Sequence, residues 1–507
     1  MSRRHAAMRV LEVASEVAPL AKTGGLADVL GALPSALSRL GCDVTVVLPA
    51  YREALDGRHG PIEPTGWEFD VAVGTGTRRA TIWQSRLAGR HGGADVTVYL
   101  VGHPAYFDRP TLYGGAEAYG DNAERFIFFS RAVLDLASRF EQPYDVIHSH
   151  DWQTGIVPAY LKALPAAWPR LARARSVHTI HNMAYQGVFW HWDMLLTGLD
   201  WRHFHWRQME HFGKLNLLKT GIVFADAVTT VSPTYAREIR SAPGGCGLEG
   251  TLASRGDALV GIVNGIDTDL WNPGADPHLP RPYGAADAVE GKRAAKRALA
   301  ERVGRDPDDD RPLAAFVGRL AEQKGIGMVA DVAARLAAGG RVRFFVLGTG
   351  DRHAEETLRR LAAAHPGAID LVAGFDEGLA HLVQAAADML LMPSLYEPCG
   401  LTQLYAMAYG TIPVVRSTGG LVDTVVDATP EALAAGRASG FLFEHADAGA
   451  LAWGIERALE LHADRPVWER LVAGVMHQDW SWDKSAAAYR TLFERVVEAP
   501  PTAVASA

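Results

Sequence analysis

Short apolar, β-branched runs alternate with amphipathic helical stretches along most of this chain, in two separate series. That alternation is the strongest constraint on the fold, because strands separated by helices pair in parallel and are covered on both faces. The first series comprises "MRVLEVAS", "DVTVVLPAY" (43–51), "VTVYLVGH" (96–103), "YDVIHSHDW" (144–152), "RSVHTIHN" (175–182) and "DAVTTVS" (226–232). Helical patterns at 123–140 and 214–225 lie between them, and the looser stretch 51–95 reads as a β-hairpin insertion. The second series is "LAAFVGRL" (313–320), "RVRFFVLGTG" (341–350), "IDLVAGF" (369–375), "DMLLMPS" (388–394) and "TIPVVRS" (411–417). Residues 270–312, rich in Pro, Gly, Ala and charge, read as the connection between the two. The prediction is an α/β chain with two doubly wound domains facing a deep cleft, with polar residues at strand ends carrying the chemistry.

A chain of 507 residues is long enough for two or three domains, and 48% hydrophobic with 21% charged residues is a globular balance. The net charge of −8 argues against a general affinity for nucleic acid, so an anion site must be a local basic cluster. No run is long and apolar enough to span a membrane. The opening apolar run is short and broken by Glu12 and Glu16, so it reads as a first strand and not a secretory signal. Cys42, Cys246 and Cys399 are too scattered for a disulfide framework or a zinc motif, which fits a reducing, cytoplasmic setting.

Six strand ends carry candidate chemistry. "KTGG", residues 22–25, stands where a strand gives way to a helix with leucines and valines at helical spacing, stopping at Gly41. Pro34 inside that pattern predicts a kink or break. Glycines at a helix start let amides approach an anion, and Lys22 adds charge. The lysine precedes its glycines, so this is no G-x-x-x-x-G-K-[ST] phosphate loop, and an ordinary turn remains an alternative. In "FVGRLAEQKG", Arg319 and Lys324 follow one strand and suit a diphosphate. Glu397 follows another strand and suits sugar hydroxyls, while Ser417-Thr418-Gly419-Gly420 is a second candidate phosphate cradle. Cys399 reads as a small packing residue. "HSHDWQTG" and "HTIHNMAYQG" place His148, His150, Asp151, Trp152, His178, His181 and Asn182 at strand ends, a set compatible with sugar recognition or with a metal.

Together, "KTGGLADV", "HSHDWQTG", "HNMAYQG", "VSPTYAREI", "NGIDTDLWNP", "GRLAEQKG", "PSLYEPCGLTQLYAMAYGT" and "STGGLVDTV" resemble, in order, the motifs of bacterial glycogen synthases and plant starch synthases. The resemblance runs from about Met8 to "WSWDKSAAAYRTLF" (480–493). It implies the GT-B architecture, two Rossmann-like domains facing a cleft. The N-terminal acceptor and catalytic domain is expected at 1–262, the C-terminal nucleotide-sugar domain at 263–484, and the final helix within 485–507 packing back on the first. A frayed "PPTAVASA" is expected to end the chain.

The implied activity is transfer of glucose from ADP-glucose to the non-reducing 4-hydroxyl of an α-1,4-glucan, glycogen or a maltooligosaccharide, with retention of configuration. Neither metal nor cofactor is implied, nor any nucleic-acid or membrane partner. By resemblance Lys22, Gly24 and Gly25 meet the donor's diphosphate and glucose, Arg319 and Lys324 hold the diphosphate, and Glu397 binds glucose hydroxyls. Thr418, Gly419 and Gly420 give backbone contacts to phosphate, Phe375 faces adenine, and His181 and Asn182 lie at the sugar. Asp151 lies on the acceptor side, Asn264 near the domain junction, and Asp28 completes the first-domain set. Many related transferases carry a second glutamate seven residues after the first; here Leu404 stands there, as in glycogen and starch synthases. The motifs supply no nucleophile, so the implied route is same-face, with the departing phosphate oxygen taking the acceptor's proton. The rivals are a UDP-glucose transferase of the same fold, a glucan phosphorylase, whose pyridoxal-binding lysine site is not found, and an inactive glucan-binding module.

Overall fold

The computed structural model describes residues 7–115 and 117–500. They form two compact units, one running to Gly265 and resuming at Trp482, the other Ile266–Ser481. The divisions drawn from the sequence lie at 262/263 and 484/485.

The first unit is built on a nine-stranded sheet. Its spatial order is Leu259–Gly261, Ala227–Thr230, Arg175–Ile180, Val146–His150, Arg9–Val13, Asp43–Pro49, Val96–Gly102, Gly76–Leu87 and Glu63–Val73. The first seven run parallel. Their interiors, such as Val10–Leu11 and Val46–Leu48, are buried, as strands covered on both faces must be. The chain reverses its direction of travel across the sheet between Arg9–Val13 and Val146–His150, which is the switch point where ligands collect beyond the carboxyl ends. The stretch 51–95 contains the expected β-hairpin: Glu63–Val73 pairs antiparallel with Gly76–Leu87, which pairs antiparallel with Val96–Gly102, so the hairpin joins the main sheet and forms its edge. The hairpin's two-residue turn has Gly74 at φ +58, the first position of a hairpin turn that requires positive φ. A small antiparallel sheet, Val188–Phe189, Lys214–Asn216 and Glu210–His211, was not apparent in the sequence.

The second unit has six parallel strands ordered Ile369–Ala373, Arg343–Gly348, Leu313–Val317, Met389–Met392, Ile412–Arg416 and Phe441–Phe443. In chain order that is 3-2-1-4-5-6, the dinucleotide-binding doubly wound arrangement, with its switch point between Leu313–Val317 and Met389–Met392. The segment 270–312 is more than a connection. It contains the helix Ala288–Arg302, which packs against the helix Glu377–Ala386 and buries Ala295 and Leu299 in the second unit's core.

The helix Gly25–Arg39 continues unbroken through Pro34 and ends before Gly41, at φ +85. An interior proline costs about 3 kcal/mol. Leu26, Val29, Leu30, Leu33 and Leu37 are all buried on this helix, and each contributes about 1.5–3 kcal/mol, so burial outweighs the break. The last helix, Trp482–Glu498, belongs to the first unit, with Trp482, Tyr489, Leu492 and Phe493 in that unit's core. Ser485 Oγ donates to the Val263 carbonyl at 2.5 Å, and Arg39 pairs with Asp483. The expected frayed tail lies, from 501 on, outside the described residues. Among the described residues, no helix is long and apolar enough to cross a membrane.

Phe493→Ala is expected to destabilise the first unit by about 3–5 kcal/mol through loss of a fully buried ring, leaving the second unit unaffected. Urea unfolding followed by hydrogen exchange resolved by segment checks this.

Candidate functional site

In the second unit, the two strands at the switch point deliver Arg319 and Glu397. Beyond Leu313–Val317 the chain passes Arg319 and makes a single 3-10 turn, Glu322–Lys324. Lys324 Nζ lies 2.6 Å from Glu397 Oε2, to which Ser394 Oγ also donates at 2.9 Å. Gln323 ties the two strand-end loops together: its carbonyl accepts from the Leu395 amide at 2.8 Å and its side chain donates to the Tyr396 carbonyl at 3.3 Å. Arg319, exposed, reaches the Gln323 side-chain oxygen at 3.3 Å. Gly325 permits this approach, since a Cβ there would sit 2.1 Å from the Pro393 carbonyl oxygen and its φ is +69.

The third strand end, after Ile412–Arg416, is pressed onto the same loop. Gly419 has φ +47 and a Cβ there would meet the Glu397 carbonyl oxygen at 1.9 Å; at Gly420 it would meet the Cys399 carbonyl oxygen at 2.1 Å. The Gly420 amide donates to the Glu397 carbonyl at 3.0 Å and the Thr418 amide to the Arg416 carbonyl at 2.9 Å. Two of the amides expected to meet phosphate thus hold backbone carbonyls here. These glycines serve close packing that positions Glu397. Cys399 is buried, and Leu404 is fully buried in the core of the second unit. Phe375 stands beyond Ile369–Ala373 with 83% of its surface exposed.

In the first unit, the lysine-glycine turn is already holding an anion, and it is internal. The Glu16 carboxylate accepts from the Thr23 amide at 2.6 Å, the Gly24 amide at 3.1 Å, Thr23 Oγ1 at 2.7 Å and the Tyr113 hydroxyl at 2.7 Å. It occupies the N-terminus of Gly25–Arg39, where amides and helix dipole favour negative charge. Lys22 Nζ pairs with Asp28 Oδ1 at 2.6 Å, a half-exposed pair that adds little stability. Unlike Gly419, Gly24 is extended (φ −158), and a Cβ added there would meet nothing within 4 Å, so packing does not demand a glycine.

Asp151 ends Val146–His150 at φ +53 and ψ −173, a conformation rare outside glycine. The turn is held because its carboxylate accepts from the His181 amide at 2.7 Å, with the Asn182 amide assisting. Burial pushes the Asp151 pKa up to about 7 against the pull of those amides, with the Glu16 charge adding to the rise. Asn182 itself caps the next turn, accepting from the Ala184 amide at 2.9 Å. Asn264 is buried, and its side-chain oxygen has no hydrogen-bond partner among the described residues.

Behind these ends lies a cluster centred on Glu12. Its carboxylate, fully buried in the first strand, is 2.9 Å from both His148 Nδ1 and His150 Nε2. His148 Nε2 meets Thr179 Oγ1 at 2.6 Å, and His150 Nδ1 meets His181 Nε2 at 3.0 Å. Burial alone would raise the Glu12 pKa, but its contacts with His148 and then His150 outweigh it and hold it down to about 2. Burial, then His148, pushes His150 down to about 4, and burial with its histidine neighbours holds His181 well below the usual range. Glu12, His148 and His150 bring their ligand-type atoms within 4.8 Å of one another, and every ring nitrogen of the two histidines already has a partner within the chain. Residue-type reasoning missed Glu12, Glu16, Tyr113, Gln323 and Ser394. A carboxylate inside an apolar strand was the available signal for Glu12.

Two Rossmann-like units, each with carboxylates and cations or histidines at the strand ends of its switch point, define a glycosyltransferase of the GT-B class. The chain matches the family model for the starch synthase catalytic domain over residues 9–254 and that for glycosyl transferases group 1 over 300–470. It is 43% identical over 502 residues to a glycogen synthase of Rhodopirellula baltica, covering 97% of this chain and 98% of the relative. It is 47% identical over 494 residues to one from an Anaeromyxobacter species, covering 97% and 100%. The catalytic domain of starch synthase IV from Arabidopsis thaliana, solved bound to ADP and acarbose, matches with a TM-score of 0.88 and 34% identity over 97% of this chain and 100% of that one. A sucrose-phosphate synthase from Thermosynechococcus elongatus, at 18% identity and TM-score 0.56 over 96% and 99%, shares the fold. This chain belongs to the family of bacterial glycogen synthases and plant starch synthases.

Two substitutions separate packing from ligand approach. Gly419→Ala must displace the Glu397 loop and is expected to cost about 1–3 kcal/mol of stability, whereas Gly24→Ala changes stability by less than about 0.5 kcal/mol; thermal unfolding checks both. For Asp151, the folded state binds the proton more tightly than the unfolded chain, so its contribution to stability falls as pH rises from about 4 to about 7. Asp151→Asn is expected to flatten that decline, so the stability of the variant relative to the parent rises across the window in urea titrations.

Proposed function

We propose that this chain transfers glucose from ADP-glucose to the non-reducing 4-hydroxyl of an α-1,4-glucan with retention of configuration, releasing ADP. The observation that carries the reading is the 2.6 Å contact of Lys324 and Glu397 at the switch point. A cation suited to diphosphate and a carboxylate suited to sugar hydroxyls stand side by side, as the two parts of a nucleotide sugar do. The ADP bound to the Arabidopsis relative supports an adenine nucleotide. Exposed Phe375 offers a face for adenine.

In this reading negative charge grows on the leaving diphosphate, and Arg319 and Lys324 stabilise it more in the transition state than in the bound donor. With those cations in place the reaction needs no metal or cofactor. Lys22, Gly24 and Gly25 serve the same donor, with Lys22 exchanging Asp28 for phosphate, and Thr418 and Gly419 border the phosphate side. His181 and Asn182 meet the glucose and Asp151 the acceptor side, with Asn264 at the edge of the first unit. The Asp151 carboxylate accepts from the backbone amides of His181 and Asn182, which suits positioning and not nucleophilic attack. In the route implied by the family resemblance, the acceptor's proton passes to the departing phosphate oxygen on the same face. Three free cysteines, Cys42, Cys246 and Cys399, fit a reducing, cytoplasmic site of action.

Glucose transfer from ADP-glucose onto glycogen is expected to persist in EDTA and to fall about 10²–10³-fold in kcat for Arg319→Ala or Lys324→Ala. Clear preference for UDP-glucose would keep the architecture and overturn the donor. Tight nucleotide binding without transfer would overturn the catalytic reading.

A further inference from the structure

We propose that Glu12, acting through His150, fixes which ring nitrogen of His181 carries the proton, and so makes His181 an acceptor-only contact for a sugar hydroxyl. Donors and acceptors must alternate along one chain of contacts. Glu12 Oε2 is an acceptor, so His150 must present Nε2–H to it across 2.9 Å. A neutral His150 then has a bare Nδ1. Among the described residues, the group facing that lone pair is His181 Nε2, at 3.0 Å, which must therefore be the donor. His181 is left with its proton on Nε2 and a bare Nδ1, for which the described residues supply no hydrogen-bond partner. Which nitrogen of an imidazole is protonated follows from the bond the other makes, and a buried carboxylate is an effective anchor for that choice.

Three further observations support the assignment. The ion partners of Glu12 among the described residues are two histidines, His148 and His150, with neither lysine nor arginine to divert its lone pairs. The lateral branch closes consistently: His148 Nε2 meets Thr179 Oγ1 at 2.6 Å, and Thr179 Oγ1 meets Thr229 Oγ1 at 2.5 Å, so this side of the network is satisfied within the chain. Burial holds both His150 and His181 in the neutral form that the alternation requires. The backbone of His181 is pinned separately by Asp151, so ring orientation and ring protonation are set from two directions.

Glu12 touches no substrate in this scheme; it is a positioning residue. The protonation pattern stands on the geometry alone, and only its consequence for turnover rests on the glucosyl-transfer reading. The test is nitrogen NMR of the full chain labelled at histidine, with the His181 signals assigned by their loss in His181→Ala. The unsubstituted chain is expected to show His181 with bare Nδ1 and protonated Nε2 near neutral pH. Glu12→Met removes the acceptor. A buried N–H without a partner is costlier than a bare nitrogen, so His150 is expected to move its proton to Nδ1 and drive His181 to the Nδ1–H form. Loss of that one acceptor contact should lower kcat/KM for ADP-glucose about tenfold. Glu12→Gln retains an acceptor oxygen and is expected to keep both the signal and the activity close to the parent. A protonated Nδ1 on His181 in the unsubstituted chain would overturn the proposal, as would an unchanged His181 signal in Glu12→Met. Should Glu12→Met fail to fold, the parent spectrum and a His150→Phe variant with an altered His181 signal decide the matter. Absence of glucosyl transfer by the parent chain would overturn the functional reading and leave the protonation result standing.

Discussion

A parallel strand covered on both faces tolerates polar side chains where it ends, because along its length every group is out of reach of water. This constraint places the chemistry of both units. Each sheet reverses its strand order once, and at that reversal two adjacent strands end without a helix crossing between them. Glu16 and Asp151 follow the two strands at the reversal in the first unit, and Arg319 and Glu397 do so in the second. The same topology, built from unrelated sequence, thus assembles a carboxylate-and-histidine end in one unit and a carboxylate-and-cation end in the other.

The first unit breaks the rule once, and much of its construction answers to that breach. Glu12, His148, His150, Thr179 and Thr229 form a polar stripe across four neighbouring strands, set in register by the pairing of Glu12 with His148 and of Thr179 with both His150 and Thr229. An uncompensated buried carboxylate would cost several kcal/mol, so each member must satisfy the next. The stripe is sealed by the last helix, whose Tyr489 and Phe493 rings lie 5.4 and 5.5 Å from that of His148. A segment from the far end of the chain is therefore needed before the centre of the first sheet is dry, which explains why the first unit is discontinuous in sequence.

What the sequence reveals follows from period and run length. Long apolar strands and amphipathic helices stand out, and the strand runs of both series correspond to strands. The two- and three-residue strands at 188–189, 210–211, 214–216, 259–261 and 441–443 are too short to establish a period. Pro34 misleads because local propensity says nothing of the five leucines and valines whose burial holds the helix together. The helix at 288–302 is masked by charge on its exposed side. At the site, residue type points to Arg319, Lys324, Glu397 and His181, but the partners that hold them, Gln323, Ser394, Glu12 and Glu16, carry no spacing signal. They become functional only through distances that the fold creates.

Those partners also bear on selectivity. Lys22 stands on Asp28, Lys324 on Glu397, and the Thr23 and Gly24 amides on Glu16, so three of the groups suited to phosphate are already engaged by a carboxylate of the chain. In the proposed reading, a ligand that drew Lys324 away would leave the carboxylate of Glu397, nearly buried, with the Ser394 hydroxyl as its one remaining hydrogen-bond partner among the described residues. Leaving a buried acceptor unpaired costs about 1–3 kcal/mol and more when it is charged. Free phosphate brings at most its own P–OH to offset this, and that group is part of the anion the lysine would hold; a nucleotide sugar brings separate sugar hydroxyls to the carboxylate with the same movement that brings diphosphate to the lysine. The pairing thus discriminates by what a wrong ligand would strand, and not only by what the right one would gain.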